Sequence, residues 1–287
     1  MRRFEYYEPA NLDETSSLLA RHGAEASLLA GGTDLLVEIK EHIRWPRHVV
    51  NLKKVPGLAA LEYDDRTGLR FGALVTAREI EVSPVVLGKY PGLAQAAREL
   101  GSIQVRHRAT IVGNICRASP SADTLPPLIA DGATVRIYGP TGERMVALES
   151  FFTGPGKTVL APGELVTGIA VPAPPPRTGK HYLKHGRRKA MELATVGVGV
   201  SLTLDGGACR EIRIALGAVA PTPIRAKLAE DALRGRTLDG AAIETAARIA
   251  MGECRPISNV RGSADYRREM VGVLTRRAIE RAMEAVR

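Results

Sequence analysis

The sequence predicts a mixed α/β protein of two or three units, and three observations carry that prediction. A length of 287 residues exceeds what one small core fills and suits two or three domains. Short apolar runs alternate with glycine stops and amphipathic stretches, the pattern of strands interleaved with helices. Prolines at 172 and 174–176 then interrupt the chain, where neither a helix nor a sheet interior can continue.

The elements follow in order. DETSSLLARH (13–22) reads as a helix with an acidic first turn, stopped by Gly23. ASLLAG (26–31) is a short apolar run ending at glycine, hence a buried strand. DLLVEIKEH (34–42) continues as a helix or an extended segment, and HVVNL (48–52) is another strand. From Gly57 the texture changes. LRFGALVT (69–76) is strand-like, and GLAQAARELG (92–101) is a helix with a glycine stop. ATVRIYG (133–139) and ERMVAL (143–148) form a hairpin around Pro140–Gly142, and ELVTGIAVP (164–172) is a further strand. PAPPPRTGK (172–180) is the clearest linker. Beyond it HYLKHGR, ATVGVGVSLTL and EIRIALGAV read as strands, the last two joined by the DGG turn at 205–207. Three helical stretches follow: KLAEDALRG, GAAIETAARIAMGE and ADYRREMVGVLTRRAIERAMEAV. The last starts after Ser263, a candidate N-cap, and carries Met270, Val271, Leu274, Ile279 and Met283 as an apolar stripe that packs on the preceding sheet.

Composition narrows the function. Apolar residues make up 45% but aromatics only 4%, so the core is built from Ala, Val, Leu and Ile. The net charge of +9 comes from arginines and lysines scattered among acids, without a nucleic-acid-binding motif. A solvated surface or an acidic partner protein suits it better, so no nucleic-acid partner is expected. Cys116, Cys209 and Cys254 lie far apart, which argues against a disulfide framework and against zinc or a cluster held by this chain alone. There is no signal-peptide pattern and no run of about 18 apolar residues, so a reducing cytoplasm is the expected setting, with no membrane span. The six histidines are scattered, and no HExxH or triad-like arrangement accompanies them, so no catalytic residue is assigned.

Two stretches suggest an anion site. LLAGGTDLL (28–36) places two glycines, a hydroxyl and an acid between apolar runs. Glycine allows φ > 0 and close approach to the backbone, and successive N–H groups in such a turn converge on an anion. RATIVGNICRASPSADTLPPL (108–128) again offers Thr110, Gly113 and Asn114, then Ser119, Ser121 and Asp123 around Pro120. Either stretch alone reads equally as an ordinary turn; together they could grip a diphosphate from both sides. Neither fits the dinucleotide G-x-G-x-x-G pattern or a phosphate-binding P-loop.

AGGTDL, ATIVGN with ASPSAD, FFTGPGKTVLAPGELV (151–166), KHGRRKAMELATVGVGV (184–200) and RGSADYRREM (261–270) occur in this order. With them the chain resembles, from Phe4 to its last helix, the FAD-binding medium subunit of the molybdenum hydroxylases. That family includes aerobic carbon monoxide dehydrogenase and bacterial xanthine dehydrogenases. The resemblance implies an α+β architecture: a vanillyl-alcohol-oxidase-type (PCMH) FAD-binding fold in two α/β subdomains (1–55 and 56–174). A C-terminal domain (178–287) would then hold a three-stranded antiparallel sheet with helices. It implies non-covalent FAD, with Ala30, Gly31, Gly32, Thr33 and Asp34 in the first diphosphate loop. Thr110, Ile111, Gly113 and Asn114 form the second. Asp123 binds the adenosine ribose, Leu160 packs near the adenine or flavin, and Lys184 approaches the flavin. Leu29, Ala118 and Ser119 belong to the same implied site.

The chain departs from the pattern in three places. Val112 stands where family members commonly carry a first glycine, and residues 184–200 offer no aromatic to stack on the flavin. No cysteine-rich insert follows Asp123, so no cluster is expected in this chain. The implied function is electron transfer. Electrons would pass from a molybdopterin centre in a large subunit, across two [2Fe–2S] clusters in a small subunit, to this FAD and on to NAD, a quinone, a ferredoxin or oxygen. The implied assembly is a dimer of heterotrimers. Lys184, Arg187 or Arg188 could place positive charge near the flavin, or GRRKA could be a solvated strand end. Arg106–Arg108 and the arginines of RGSADYRR could meet the cofactor, a partner or solvent. The competing readings are a self-sufficient flavoprotein oxidoreductase on the same fold, and a basic binding module that has lost its cofactor.

Overall fold

The computed structural model of the chain describes residues 2–286. Three main sheets follow one another along it. The first is small and parallel: Glu5–Tyr7 (β1), Ala26–Leu29 (β2) and His48–Asn51 (β3), in the order β1-β3-β2. Helix α1 (Leu12–His22) connects β1 to β2. Asn11 caps it by accepting from the Glu14 N–H at 2.8 Å. The ambiguous stretch at 34–42 forms helix α2 (Leu35–Lys40), because Leu35 and Ile39 bury on one face four residues apart.

The second sheet is antiparallel. Leu61–Asp64 (β4) and Gly68–Gly72 (β5) precede the helices Ala77–Val82 (α3), Pro84–Lys89 (α4), Pro91–Glu99 (α5), Ile103–Arg106 (α6), Ile111–Cys116 (α7) and Leu125–Ala130 (α8). Thr134–Gly139 (β6) and Gly142–Ala147 (β7) form the expected hairpin. Phe152–Gly154 (β8) and Lys157–Thr158 (β9) make a small separate hairpin, and Leu165–Val171 (β10) completes the order β4-β5-β10-β6-β7. The expected strand at 69–76 ends early, at Gly72. Thr76 instead starts α3 with a capping box, in which the Thr76 hydroxyl and the Glu79 carboxylate each accept from the other's backbone N–H. Leu125, Leu128 and Ile129 of α8 are fully buried against this sheet's core.

The third sheet is Thr178–His185 (β11), Val196–Asp205 (β12), Ala208–Gly217 (β13) and Ile224–Arg225 (β14), all antiparallel. It has four strands where three were expected, because Ile224–Arg225 pairs with Leu216 and Ala215 at the edge. The linker is also shorter than the proline run suggested. Thr178, Gly179 and Lys180 already belong to β11, and the Lys180 ammonium meets the buried Asp131 carboxylate at 2.7 Å. Helices Lys227–Asp231 (α9), Gly240–Glu253 (α10) and Ala264–Glu284 (α11) cover one face with a second core of Val196, Val198, Ile212, Ile214, Val271 and Ile279. Ser263 caps α11, accepting from the Tyr266 N–H at 3.1 Å. Within α11, Val271, Leu274 and Ile279 are buried, and Met270 and Met283 pack beside them.

The third sheet docks on the second unit through α8 and α5. A Cβ added at Gly199 would lie 2.6 Å from the Pro126 carbonyl carbon, so β12 and α8 touch backbone to backbone. Lys180 also sits 4.2 Å over the buried Tyr90 ring, whose hydroxyl donates to the Pro172 carbonyl at 2.8 Å. No helix among the described residues is long and apolar enough to cross a membrane.

Candidate functional site

The loop after β2 holds Ala30, Gly31, Gly32, Thr33 and Asp34, and α2 begins straight after it. Gly32 has φ +77, a conformation that favours glycine. Gly31 is demanded by a neighbour. A Cβ there would lie 2.0 Å from the Arg108 carbonyl oxygen and 3.1 Å from the Ala109 Cα. The first loop therefore rests directly on the segment that leads into the second. Leu29 closes its inner side, with Cδ1 2.9 Å from where a Gly32 Cβ would stand. Among the described residues, the backbone N–H groups of Gly31, Gly32, Thr33 and Asp34 have no protein acceptor. A run of unpaired donors, half-buried at Gly31–Thr33 and exposed at Asp34, suits an anion. Asp34 itself faces Arg117 at 3.9 Å across solvent.

The second loop is fixed from behind. The Ile111 N–H donates to the Val75 carbonyl, and the Ala77 N–H to the Ala109 carbonyl, which tie it to the start of α3. Thr110 caps α7, its hydroxyl accepting from the Gly113 N–H at 3.0 Å. Val112 is buried in the core while Gly113 is exposed. The departure at 112 is thereby explained: its Cβ turns inward. Asn114 accepts from the Thr124 hydroxyl at 2.7 Å, joining α7 to the turn that carries Asp123.

Residues 118–121 connect outwards. Ala118 has φ +51, and its carbonyl accepts from the Gly156 N–H at 2.9 Å, so the β8–β9 hairpin leans on it. Ser119 accepts from the Ser121 N–H at 3.3 Å, and the Pro120 carbonyl accepts from Ala218 of the third sheet's unit at 2.7 Å. Leu160 lies half-buried at the edge of the first core, just past that hairpin.

Asp123 is 6% exposed. Its Oδ1 accepts from the Tyr182 hydroxyl at 2.8 Å and its Oδ2 from the Lys184 ammonium at 2.8 Å. Burial pushes the carboxyl up to about 6, against the opposing pull of Lys184 and Tyr182. Burial, and then Asp123 itself, drives the Tyr182 hydroxyl well above its ordinary range. Lys184 also donates to the Glu99 carbonyl at 3.1 Å and the Glu192 carbonyl at 2.8 Å, which engages all of its hydrogens. The structure thus pairs two residues that sequence reasoning had assigned to different parts of the cofactor. Tyr182, Glu99 and Glu192 were not foreseen. Tyr182 was within reach of the sequence, since it stands two residues from Lys184 on one strand and shares its face.

Arg187 and Arg188 do not point at Asp123. Both approach the Glu192 carboxylate, at 3.6 and 3.5 Å, and Arg261 joins them at 3.4 Å. A cavity of about 480 Å³ opens between Glu99 and residues 184–189. A second hollow of about 280 Å³, lined by Asp13, Ser16 and Tyr138 among others, shares no residue with the glycine loops. Behind the site, Arg267 is 2% exposed and donates to the Thr195 and Ala218 carbonyls at 2.8 and 3.0 Å.

Known proteins match this chain along its whole length. Residues 2–174 match the family described as the FAD binding domain in molybdopterin dehydrogenase, and residues 181–282 the CO dehydrogenase flavoprotein C-terminal domain. The carbon monoxide dehydrogenase medium chain of Hydrogenophaga pseudoflava is 36% identical over 280 residues, covering 98% of this chain and 97% of that one. A putative xanthine dehydrogenase FAD-binding subunit of Escherichia coli K12 is 32% identical over 281 residues, covering 98% and 96%. Among solved structures, a carbon monoxide dehydrogenase from Hydrogenophaga pseudoflava superposes with TM-score 0.95 at 36% identity, covering 100% of this chain and 99% of that one. Quinoline 2-oxidoreductase from Pseudomonas putida 86 does so with TM-score 0.91 at 30% identity, covering 99% and 98%.

Proposed function

Because the chain belongs to the family of FAD-binding subunits of the molybdopterin dehydrogenases, we propose that its two glycine loops hold the diphosphate of FAD between them. The chain is the FAD-carrying, electron-transfer subunit of a molybdenum–flavin–iron–sulfur oxidoreductase. In our reading Leu29, Ala30, Gly31, Gly32, Thr33 and Asp34 form one side of the cradle. Thr110, Ile111, Gly113 and Asn114 form the other. Asp123 accepts from the adenosine ribose hydroxyls, Ala118, Ser119 and Leu160 border the cofactor, and Lys184 sets the Asp123 carboxylate.

The single observation that carries this reading is the close approach of Gly31 to Arg108, which lays an unpaired row of N–H donors beside the second loop. Bound FAD supplies chemistry that no side chain has, accepting electrons singly or in pairs and so linking one-electron clusters to a two-electron acceptor. The chain's own residues bind and orient. The loop N–H groups meet negative charge, and Asp123, ionised above about pH 6, receives two hydroxyl donors. Lys184 and Tyr182 hold that carboxylate in one orientation.

The wider assignment rests on the same family membership. A small [2Fe–2S] subunit and a large molybdopterin subunit are the partners, assembled as a dimer of heterotrimers in the cytoplasm, with NAD, a quinone or a ferredoxin as acceptor. The vanillyl-alcohol-oxidase-type subdomains, 1–55 and 56–174, and the C-terminal domain, 178–287, belong to this proposal. The separate sheets and the proline run support that division. The test is a fluorescence titration of the purified chain with FAD, alone and with its partner subunits. Saturable binding near one FAD per chain is expected. A chain that takes up no FAD in either setting refutes the assignment.

A further inference from the structure

Arg117 stands between the two glycine loops. It ends α7, and its N–H donates to the Gly113 carbonyl at 3.0 Å, so its backbone belongs to the second loop. Its guanidinium reaches back to the first. Nη2 lies 2.8 Å from Glu38 Oε1 in α2, and Nε lies 3.9 Å from the Asp34 carboxylate in the first loop itself. Among the described residues, every ion pair that joins residues 2–55 to the rest of the chain runs through this one side chain.

Helix α2 moves only with the first loop. The Leu36 N–H donates to the Gly32 carbonyl at 3.0 Å, and the Glu38 N–H to the Asp34 carbonyl at 2.9 Å. A pull on the Glu38 carboxylate is therefore a pull on the glycines. The two partners of Arg117 are unequal. The Glu38 side chain is 12% exposed, whereas Asp34 is open to solvent. The other Glu38 oxygen has Arg44, more loosely, at 3.9 Å. Turning Arg117 towards another anion would leave a nearly buried carboxylate short of its cation, which costs more than an exposed contact returns. The arginine is thus committed to Glu38. It acts on the first loop by holding α2, not by touching what the loop binds.

We propose that the Arg117–Glu38 ion pair is a latch that keeps the two glycine loops closed on the FAD diphosphate, with Arg117 and Glu38 as positioning residues. The proposal deepens, and rests on, the reading of these loops as the diphosphate site. Without cofactor the chain populates arrangements with the loops together and apart, and FAD spans only the closed one. A latch that favours closure raises the competent fraction, and so lowers apparent Kd and slows release. A lysine at 117 keeps the charge and therefore much of the latch.

The experiment follows FAD on the full chain, by equilibrium fluorescence titration and by the rate of release after dilution. Arg117→Gln and Glu38→Gln are each expected to speed release and weaken affinity about fivefold, the upper end for a partly exposed ion pair. The double variant is expected to match either single one, because both remove the same contact. Arg117→Lys is expected to recover most of the loss. Ser263→Ala, which removes the α11 cap, controls for a general fall in stability and is expected to release FAD as wild type does. The proposal is overturned if both single variants release FAD like wild type, if their effects add in the double variant, or if Arg117→Lys is as impaired as Arg117→Gln. It is also overturned if Arg117→Gln weakens binding while Glu38→Gln binds as tightly as wild type or more so, since the arginine would then act directly on the diphosphate. Should Glu38→Gln fail to fold by circular dichroism, the comparison of Arg117→Gln with Arg117→Lys decides. A wild-type chain that takes up no FAD removes the diphosphate reading itself.

Discussion

With Asp123 on the ribose as proposed, FAD affinity depends on pH in a direction that its burial and its partners set. Burial holds its carboxyl at about 6, so the group changes charge within the working range of most buffers. The ribose needs an acceptor, which the ionised form supplies in full. The sign follows: binding is near full strength from about pH 7 upward and weakens as pH falls through about 6. If only the ionised form is competent, apparent Kd rises by 1 + 10^(pKa − pH), which is roughly 11-fold at pH 5 and near unity at pH 7.5. Asp123→Asn keeps the shape but removes the charge. It should cost about 1–3 kcal/mol of FAD affinity at pH 7.5 and abolish most of the pH dependence. The assay is fluorescence titration of the isolated chain at pH 5, 6 and 7.5, with circular dichroism to check folding at each point. A wild-type Kd that stays flat from pH 7.5 to 5 would refute the reasoning. So would an Asn variant that keeps the wild-type pH slope.

Gly31→Ala places a Cβ 2.0 Å from the Arg108 carbonyl, so the loops must part; at least a tenfold loss of FAD affinity is expected by titration, with far-UV circular dichroism unchanged. Lys180→Met leaves the buried Asp131 carboxylate without its cation and should cost about 3–5 kcal/mol in urea unfolding, and adding Asp131→Leu should restore most of it. Ser263→Ala removes the α11 cap and should lower stability by about 1 kcal/mol in the same assay, with FAD affinity unaffected.

Much of the fold could be read from local signals. Gly31–Gly32 announce a loop because two glycines split one apolar run, and Ser263 announces a helix because a hydroxyl precedes an amphipathic repeat. The proline run hid the start of β11. Thr178–Lys180 are held there by pairing with Ser201–Thr203 and by Asp131, and neither lies nearby in sequence. The short helices α3, α4 and α6 escaped because four to six residues, fewer than two turns, hold too little periodicity to detect. The site shows the same division. Its glycines, hydroxyls and Asp123 were legible as residue types, whereas the grip of Lys184 and Tyr182 on Asp123 spans 61 and 59 positions and exists only after the third sheet docks on α8. The positive φ of Ala118 carries no mark in an alanine.

The contact between Gly31 and Arg108 joins the loop after β2 of the first sheet to the turn between α6 and α7 of the second unit, and no disulfide clamps them there. A molecule that spans both loops behaves as a removable staple: it recognises only the closed arrangement and adds its own binding free energy to holding that arrangement shut. At a hundredfold excess over Kd, such a staple is worth about 2.7 kcal/mol. On the proposed assignment the prosthetic group is thus also a structural element of the chain, and keeping it loaded would keep the first two sheets together.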